Sequence, residues 1–207
     1  MATPATELLT LPPWLDLAGI AVFALSGALL ATRLRMTIVT VIFFALVTGV
    51  GGGSVRDVLI GAPVFWVRDP WVAPVVLLTA LLAWFTPGRW WEGRMLDWAD
   101  ALGLAAYSVL GTAKALFYGV ETVPAIMMGV ITGCVGGIIR DVLAGTPSIL
   151  MRPELYVTAA ALAAGLFVLL ILAGAAGWPA AIVAAVAGFA LRGIAILHGW
   201  SLPAFRD

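Results

Sequence analysis

Thr48-Gly49-Val50-Gly51-Gly52-Gly53-Ser54-Val55-Arg56-Asp57-Val58-Leu59-Ile60-Gly61-Ala62-Pro63 returns as Thr132-Gly133-Cys134-Val135-Gly136-Gly137-Ile138-Ile139-Arg140-Asp141-Val142-Leu143-Ala144-Gly145-Thr146-Pro147. The two copies lie 84 positions apart, the separation of Arg56 from Arg140, and no gap is needed to align them. In each, glycines precede an Arg-Asp dipeptide inside an otherwise apolar stretch. Twice-repeated glycine clusters beside ionised residues predict a duplicated membrane protein whose helices break at the glycines.

Composition agrees. The chain is 63% hydrophobic and 11% charged, with a mean hydropathy of +1.10, whereas an ordinary soluble domain carries about 25% charged residues. Eleven basic residues balance eleven acidic ones. No clustered Lys and Arg surface is available for phosphate contacts, so nucleic acid is excluded as a partner. Cys134 is the only cysteine and His198 the only histidine, which excludes an intrachain disulfide and a zinc site of Cys/His composition. No metal site and no cofactor are expected. An enzyme is not expected either: the chain has no GxSxG, HExxH or Walker pattern, and its glycine-rich segments follow helices rather than strands.

A bilayer core of about 30 Å takes about 20 helical residues to cross. On that ruler the sequence predicts seven spans, at 14–31, 36–60, 71–85, 98–117, 122–144, 155–173 and 178–197. The first has no basic leader and reads as a retained helix rather than a cleaved signal peptide. Arg33, Arg35, Arg89, Arg94, Arg152 and Arg206 fall on one side and Arg68 on the other. The positive-inside rule then places the N-terminus outside and the C-terminus in the cytoplasm, in the inner (cell) membrane. Trp14, Trp66, Trp71, Trp90, Trp91, Trp98, Trp178 and Trp200 stand near span ends, as an interfacial aromatic belt requires.

The 84-residue offset reaches upstream of the glycines: Asp16, Gly19, Phe23 and Gly27 match Asp100, Gly103, Tyr107 and Gly111. Residues 14–86 therefore form repeat one and 98–173 repeat two, with 178–197 a seventh helix without a mate, all in a single membrane domain over 1–207. Three crossings per unit force the second copy to enter from the opposite face, an inverted repeat about an axis in the membrane plane.

The glycines admit two readings. Gly51, Gly52 and Gly53, with Gly133, Gly136 and Gly137, mark either unwound segments beside a wet path or close helix contacts of the small-xxx-small kind. Gly49/Gly53 and Gly129/Gly133/Gly137 also offer small-residue faces for packing against another subunit. Arg56, Asp57, Arg140 and Asp141 need partners in an apolar span. Successive helical residues diverge by about 100°, so neither Arg-Asp dipeptide is expected to pair within itself. The expected pairs are Asp16 with Arg56 and, by repeat symmetry, Asp100 with Arg140. Lys114 has Leu30 as its mate and lies about 21 Å along its helix from Asp100 at 1.5 Å per residue. It lines a path, snorkels to the outer face, or holds a freed carbonyl. Arg192 is expected to snorkel to headgroups and His198 to lie at the interface. Ser26, Thr48, Ser54, Ser108, Thr112 and Thr132 supply hydroxyls near the glycines to replace ion hydration. The clusters straddle the membrane centre with the arginines toward opposite mouths, an hourglass path.

The two motifs, GGG-S-V-R-D-V-L-x-G-x-P-V-F-W and V-G-G-I-I-R-D-V-L-x-G-x-P, follow D-L-x-G-x-x-x-F-A-L-S-G in the first span. With these the chain resembles the prokaryotic TRIC (trimeric intracellular cation channel) family, a group also labelled as glycine transporters. The resemblance implies an all-α fold of seven helices, with kinked second and fifth helices, assembled as a homotrimer with membrane lipids bound. It implies a pore in each subunit, lined by the first, second, fourth and fifth helices, that conducts potassium in preference to sodium. It implies a gating role for Lys114 and kinks at the glycines; the residues themselves add Arg56, Asp57, Arg140 and Asp141 as pore or gating charges, supported by Asp16 and Asp100, with Ser54 beside the first kink. No soluble protein partner is implied. The residues alone fit a carrier of a small amino acid such as glycine equally well, because alternating access uses the same broken helices.

Overall fold

A computed structural model describes residues 13–91, 93–151 and 155–203. Seven α-helices carry the described residues: α1 (Pro13–Arg33), α2 (Ile38–Leu59), α3 (Val72–Phe85), α4 (Met95–Phe117), α5 (Thr122–Leu143), α6 (Val157–Leu172) and α7 (Gly177–His198). Their bounds fall within a few residues of the predicted spans, and there is no β-strand among the described residues. By length and composition α1, α2, α5 and α7 suffice to cross a membrane. At 14 and 16 residues, α3 and α6 are shorter, and the apolar run of the continuous helix α4 carries the charges Asp97, Asp100 and Lys114. Arg152, Arg206 and the side chain of Trp14, used above for orientation and for the belt, lie outside the described residues.

The polarity of the fold is inverted relative to a soluble protein. Leu78, Leu82 and Phe85 of α3, Leu169 and Leu172 of α6, and Ile182, Val183 and Val186 of α7 point outward, whereas Ser26, Thr48, Asp57, Asp100, Thr112, Thr132 and Arg140 are buried. An apolar exterior with charge held inside is the distribution that lipid, rather than water, selects. The chain is an all-α multi-pass membrane protein built of two inverted three-helix repeats and α7. The last helix packs on α4 and α6, where Phe189 meets Trp98 with ring centroids 5.7 Å apart.

The repeats meet through reciprocal contacts that mark their pseudo-two-fold axis. Gly52 of α2 lies on the carbonyl oxygen of Thr132 in α5, and Gly136 of α5 lies on the carbonyl of Thr48 in α2. Between α1 and α4 the same exchange occurs, with Tyr107 covering Gly19 and Phe23 covering Gly103. Those two rings meet edge to face at 5.3 Å. Within each repeat, Thr48 sits on Gly27 and Thr132 on Gly111. Such contacts require residues without a Cβ, so they decide between the two readings of the glycines. Both α2 and α5 are helical without interruption through the clusters, and the expected breaks are not present. The small-residue faces are consumed inside the subunit as well. Gly49 packs on Ile20 of α1, Gly129 and Gly133 on Ser108 of α4, and Gly53 on the Phe65 ring, so these faces are not free to bind a second subunit.

Replacing Gly52 with Ala drives a methyl group into the Thr132 carbonyl, a backbone clash that only helix separation relieves, and overpacking of this kind costs about 1–3 kcal/mol or more. Gly165 in α6 has open space where its Cβ would stand, and there Ala gains up to about 1 kcal/mol of helix propensity. Thermal unfolding in detergent is expected to show a large loss for Gly52→Ala and none for Gly165→Ala. Equal behaviour of the two variants would refute a close crossing at Gly52.

Candidate functional site

Each repeat ends its glycine helix in the same charged knot. Arg56 folds along α2 so that Nε and Nη2 both lie 2.8 Å from Oδ1 of Asp57. Arg140 does the same on α5, with Nε and Nη2 each 2.8 Å from Oδ1 of Asp141. The second carboxylate oxygen faces the chain returning from the helix: Asp57 Oδ2 accepts the Phe65 N–H at 3.0 Å, and Asp141 Oδ2 accepts the Ile149 N–H at 2.8 Å. Each acceptor captures the start of a short 3-10 turn, Phe65–Val67 or Ile149–Met151. The adjacent pairing expected to fail is thus formed twice. The guanidinium rides on a long flexible stem that spans the divergence between successive residues, and in a lipid-surrounded interior the nearest carboxylate is worth that bend.

Beyond this shared core the knots differ. In repeat two, Arg140 Nη1 also reaches Asp100 Oδ1 of α4 at 2.7 Å and donates to the hydroxyl of Ser26 from α1. Arg140, Asp100 and Asp141 are all buried, and the Asp100–Arg140 pair is as the sequence predicts. In repeat one the equivalent pair is not formed. Asp16 is exposed at the start of α1, and its carbonyl accepts the Tyr107 hydroxyl at 3.1 Å. Asp57 is instead bound by Lys114, whose Nζ lies 2.8 Å from Oδ1. Lys114 reaches from α4 across to α2, neither snorkelling nor bonding a carbonyl.

The net charges therefore oppose one another. Two cations share one carboxylate in the first knot, and two carboxylates share one cation in the second. Mobility differs too. Both arginines are walled in, but the Lys114 side chain keeps 21% of its surface open. Its ammonium lies 5.8 Å from the centre of the Phe65 ring, and Arg56 lies 6.0 Å from the same ring, an aromatic face that holds cations without neutralising them.

The remaining predicted residues lie close by. Ser54 donates to the Val50 carbonyl at 2.7 Å and accepts Trp66 Nε1 at 2.8 Å. Ser108, Thr112 and Thr132 each donate to a carbonyl one turn earlier in their own helices. Gly51 faces Ile139, and Gly137 leaves room for the Tyr156 hydroxyl beside Asp100. Arg192 does not snorkel: it is buried, with its guanidinium 5.4 Å from the centre of the Tyr156 ring. Phe65, Ile149 and Tyr156 were not anticipated. Phe65 and Ile149 were within reach of sequence reasoning, since each stands eight residues after its aspartate and two after the shared proline.

Comparison with known proteins bears on this arrangement. A family model described as glycine transporter matches residues 13–87 and 97–172, one segment for each repeat. A UPF0126 membrane protein of Vibrio cholerae is 47% identical over 151 residues, 70% of this chain and 62% of that protein. The chain therefore spans under two thirds of that relative's length. The UPF0126 inner membrane protein YadS of Escherichia coli K12 is 45% identical over 149 residues, 70% of this chain and 72% of that one. Among solved structures, a TRIC trimeric intracellular cation channel orthologue from Rhodobacter sphaeroides superposes with a TM-score of 0.83 at 39% identity. It covers 90% of this chain and 97% of its own.

Removing Arg140 strands two buried carboxylates, and breaking a buried pair in this way costs about 3–5 kcal/mol. Lys114→Met leaves Asp57 still held by Arg56 and the Phe65 amide. Thermal unfolding in detergent is expected to place Arg140→Leu far below wild type and Lys114→Met close to it. The reverse order would show that the first knot, not the second, holds the fold.

Proposed function

This chain belongs to the glycine transporter family, which is the TRIC family, and we propose that it is a cation channel with a potassium-preferring pore in each subunit of a homotrimer. The observation that carries the proposal is the Lys114–Asp57 pair. A buried carboxylate that receives a flexible ammonium from a neighbouring helix is a site where a permeant cation and a tethered one compete for the same oxygen. While Lys114 occupies Asp57, its charge repels an entering ion. When Lys114 withdraws, its place on Asp57 Oδ1, still shared with Arg56, is offered to potassium or sodium.

The path runs among α1, α2, α4 and α5, where Ser26, Thr48, Ser108, Thr112 and Thr132 line the interior. Ser108, Thr112 and Thr132, whose protons are bound to their own helices, present lone pairs to a dehydrating cation. Arg56 and Asp57 stand toward one mouth, Arg140 and Asp141 toward the other, with Asp100 positioning Arg140 and the glycine crossing between them. An ammonium in this position responds to voltage, at up to about 2.3 kcal/mol per charge per 100 mV for the full field. The excess of Arg33, Arg35, Arg89 and Arg94 on one side supports a cytoplasmic C-terminus in the inner membrane. A carrier for a small amino acid is the second reading. The family model's description favours it, as does the inverted repeat, a plan shared with alternating-access transporters.

Purified protein in a planar bilayer under a potassium gradient is expected to give discrete openings that reverse near the potassium potential. Smaller currents are expected with sodium. Lys114→Ala is expected to raise open probability and flatten its voltage dependence, and Arg56→Ala to change unitary conductance. A silent bilayer, with saturable glycine uptake into liposomes from the same preparation, would transfer the assignment to the carrier.

A further inference from the structure

Two of the positions at which the repeats differ meet in space. Phe65 stands where repeat two has Ile149, and Lys114 stands where repeat one has Leu30. The backbone role of the first pair is the same in both halves, since each residue donates its N–H to the second oxygen of its aspartate. That role asks nothing of the side chain. Ile149 is buried in an apolar cluster with Leu104 and Cys134. The Phe65 ring is half-buried and lies on Gly53, where a Cβ would come within 2.6 Å of ring atom Cε1. Gly137, the repeat equivalent of Gly53, gives its room to the Tyr156 hydroxyl and Asp100 instead. The missing Cβ of Gly53 thus seats an aromatic ring in the one knot that has an ammonium to hold.

Lys114 Nζ stands over that ring, 5.8 Å from its centre, while 2.8 Å from Asp57 Oδ1. The Arg56 guanidinium is over the same ring at 6.0 Å and bonded to the same oxygen. One carboxylate does not neutralise two cations, and the negative face of the ring supplies attraction for the remainder. Such attraction strengthens out of water, a condition that a half-buried ring and a largely buried ammonium meet. We propose that Phe65 is a positioning residue for Lys114: its ring face holds the ammonium on Asp57 and so sets how readily Lys114 withdraws. The proposal rests on the reading of Lys114 as the cation that a permeant ion must displace. On that reading the ring stabilises the closed state.

Lys114 is the only lysine in the chain, so its release can be followed apart from any current. The whole protein is made with Phe65 replaced by mono-, di- or trifluorophenylalanine, which drains charge from the ring face stepwise and leaves its shape nearly intact. In detergent, the rate at which an amine-reactive ester acylates Lys114 is read by mass spectrometry of the peptide that carries it. In planar bilayers under potassium, the open-to-closed ratio is read alongside. Both are expected to rise with each fluorine, reaching about fivefold at three, equivalent to roughly 1 kcal/mol of lost ring attraction. The open-to-closed ratio of Lys114→Met is expected to respond to none of the three replacements. A labelling rate that stays flat across the series would overturn the proposal and leave Phe65 as packing alone. So would a graded open-to-closed ratio that persists in Lys114→Met, which would route the effect of the ring through Arg56. Graded labelling beside a silent wild-type bilayer would sustain the hold of Phe65 on Lys114 and remove the channel reading alone.

Discussion

The crossing of α2 over α5 sets the positions of everything else. Two helix backbones touch there with no side chain between them, each glycine lying on a carbonyl of the other helix. An approach that close resists sliding, because a shift of two residues places Val50 or Cys134 where a glycine must be. The register of the crossing therefore fixes how far beyond it each Arg-Asp dipeptide stands, and so the separation of the two charged knots. In hydrocarbon surroundings, where apolar burial gives helices no reason to associate, direct backbone packing is one of the few forces available to do this.

The knots solve a second constraint, which is how to end a helix and turn the chain while charge stays inside. Each aspartate uses one oxygen for its neighbouring arginine and the other for a backbone N–H of the returning segment. A carboxylate satisfied on both sides is stable where an unsatisfied one is costly. The third partner is where the halves part, Lys114 donating to Asp57 in one and Asp100 accepting from Arg140 in the other. One half is sealed and the other retains a partly accessible cation.

Sequence alone carried the fold a long way because its evidence was periodic and duplicated. The seven helices, the 84-residue register and the Asp100–Arg140 pair all follow from apolar spacing and repeat alignment. It misled where local geometry overrode a general rule. The glycines left a break and a close helix contact both open, because a glycine in lipid exposes its backbone; here each exposed strip is covered by another helix, a fact that belongs to three-dimensional packing. Arg56 was expected to seek Asp16 because adjacent helical residues diverge, a rule for short side chains that an arginine escapes. The Lys114 partner was invisible because it has no counterpart: Leu30 stands at the equivalent position, and repeat logic is silent about what only one copy contains.

A protein with a two-fold axis in the membrane plane looks the same from above and from below, and on that ground alone treats inward and outward movement alike. Lys114 has no mate across the axis, so the electrostatic profile met on entering from one face is not the mirror image of that met from the other. In the proposed pore, that one side chain without a repeat counterpart gives a symmetric duplication a direction, as a junction between unlike halves makes a rectifier of a conductor.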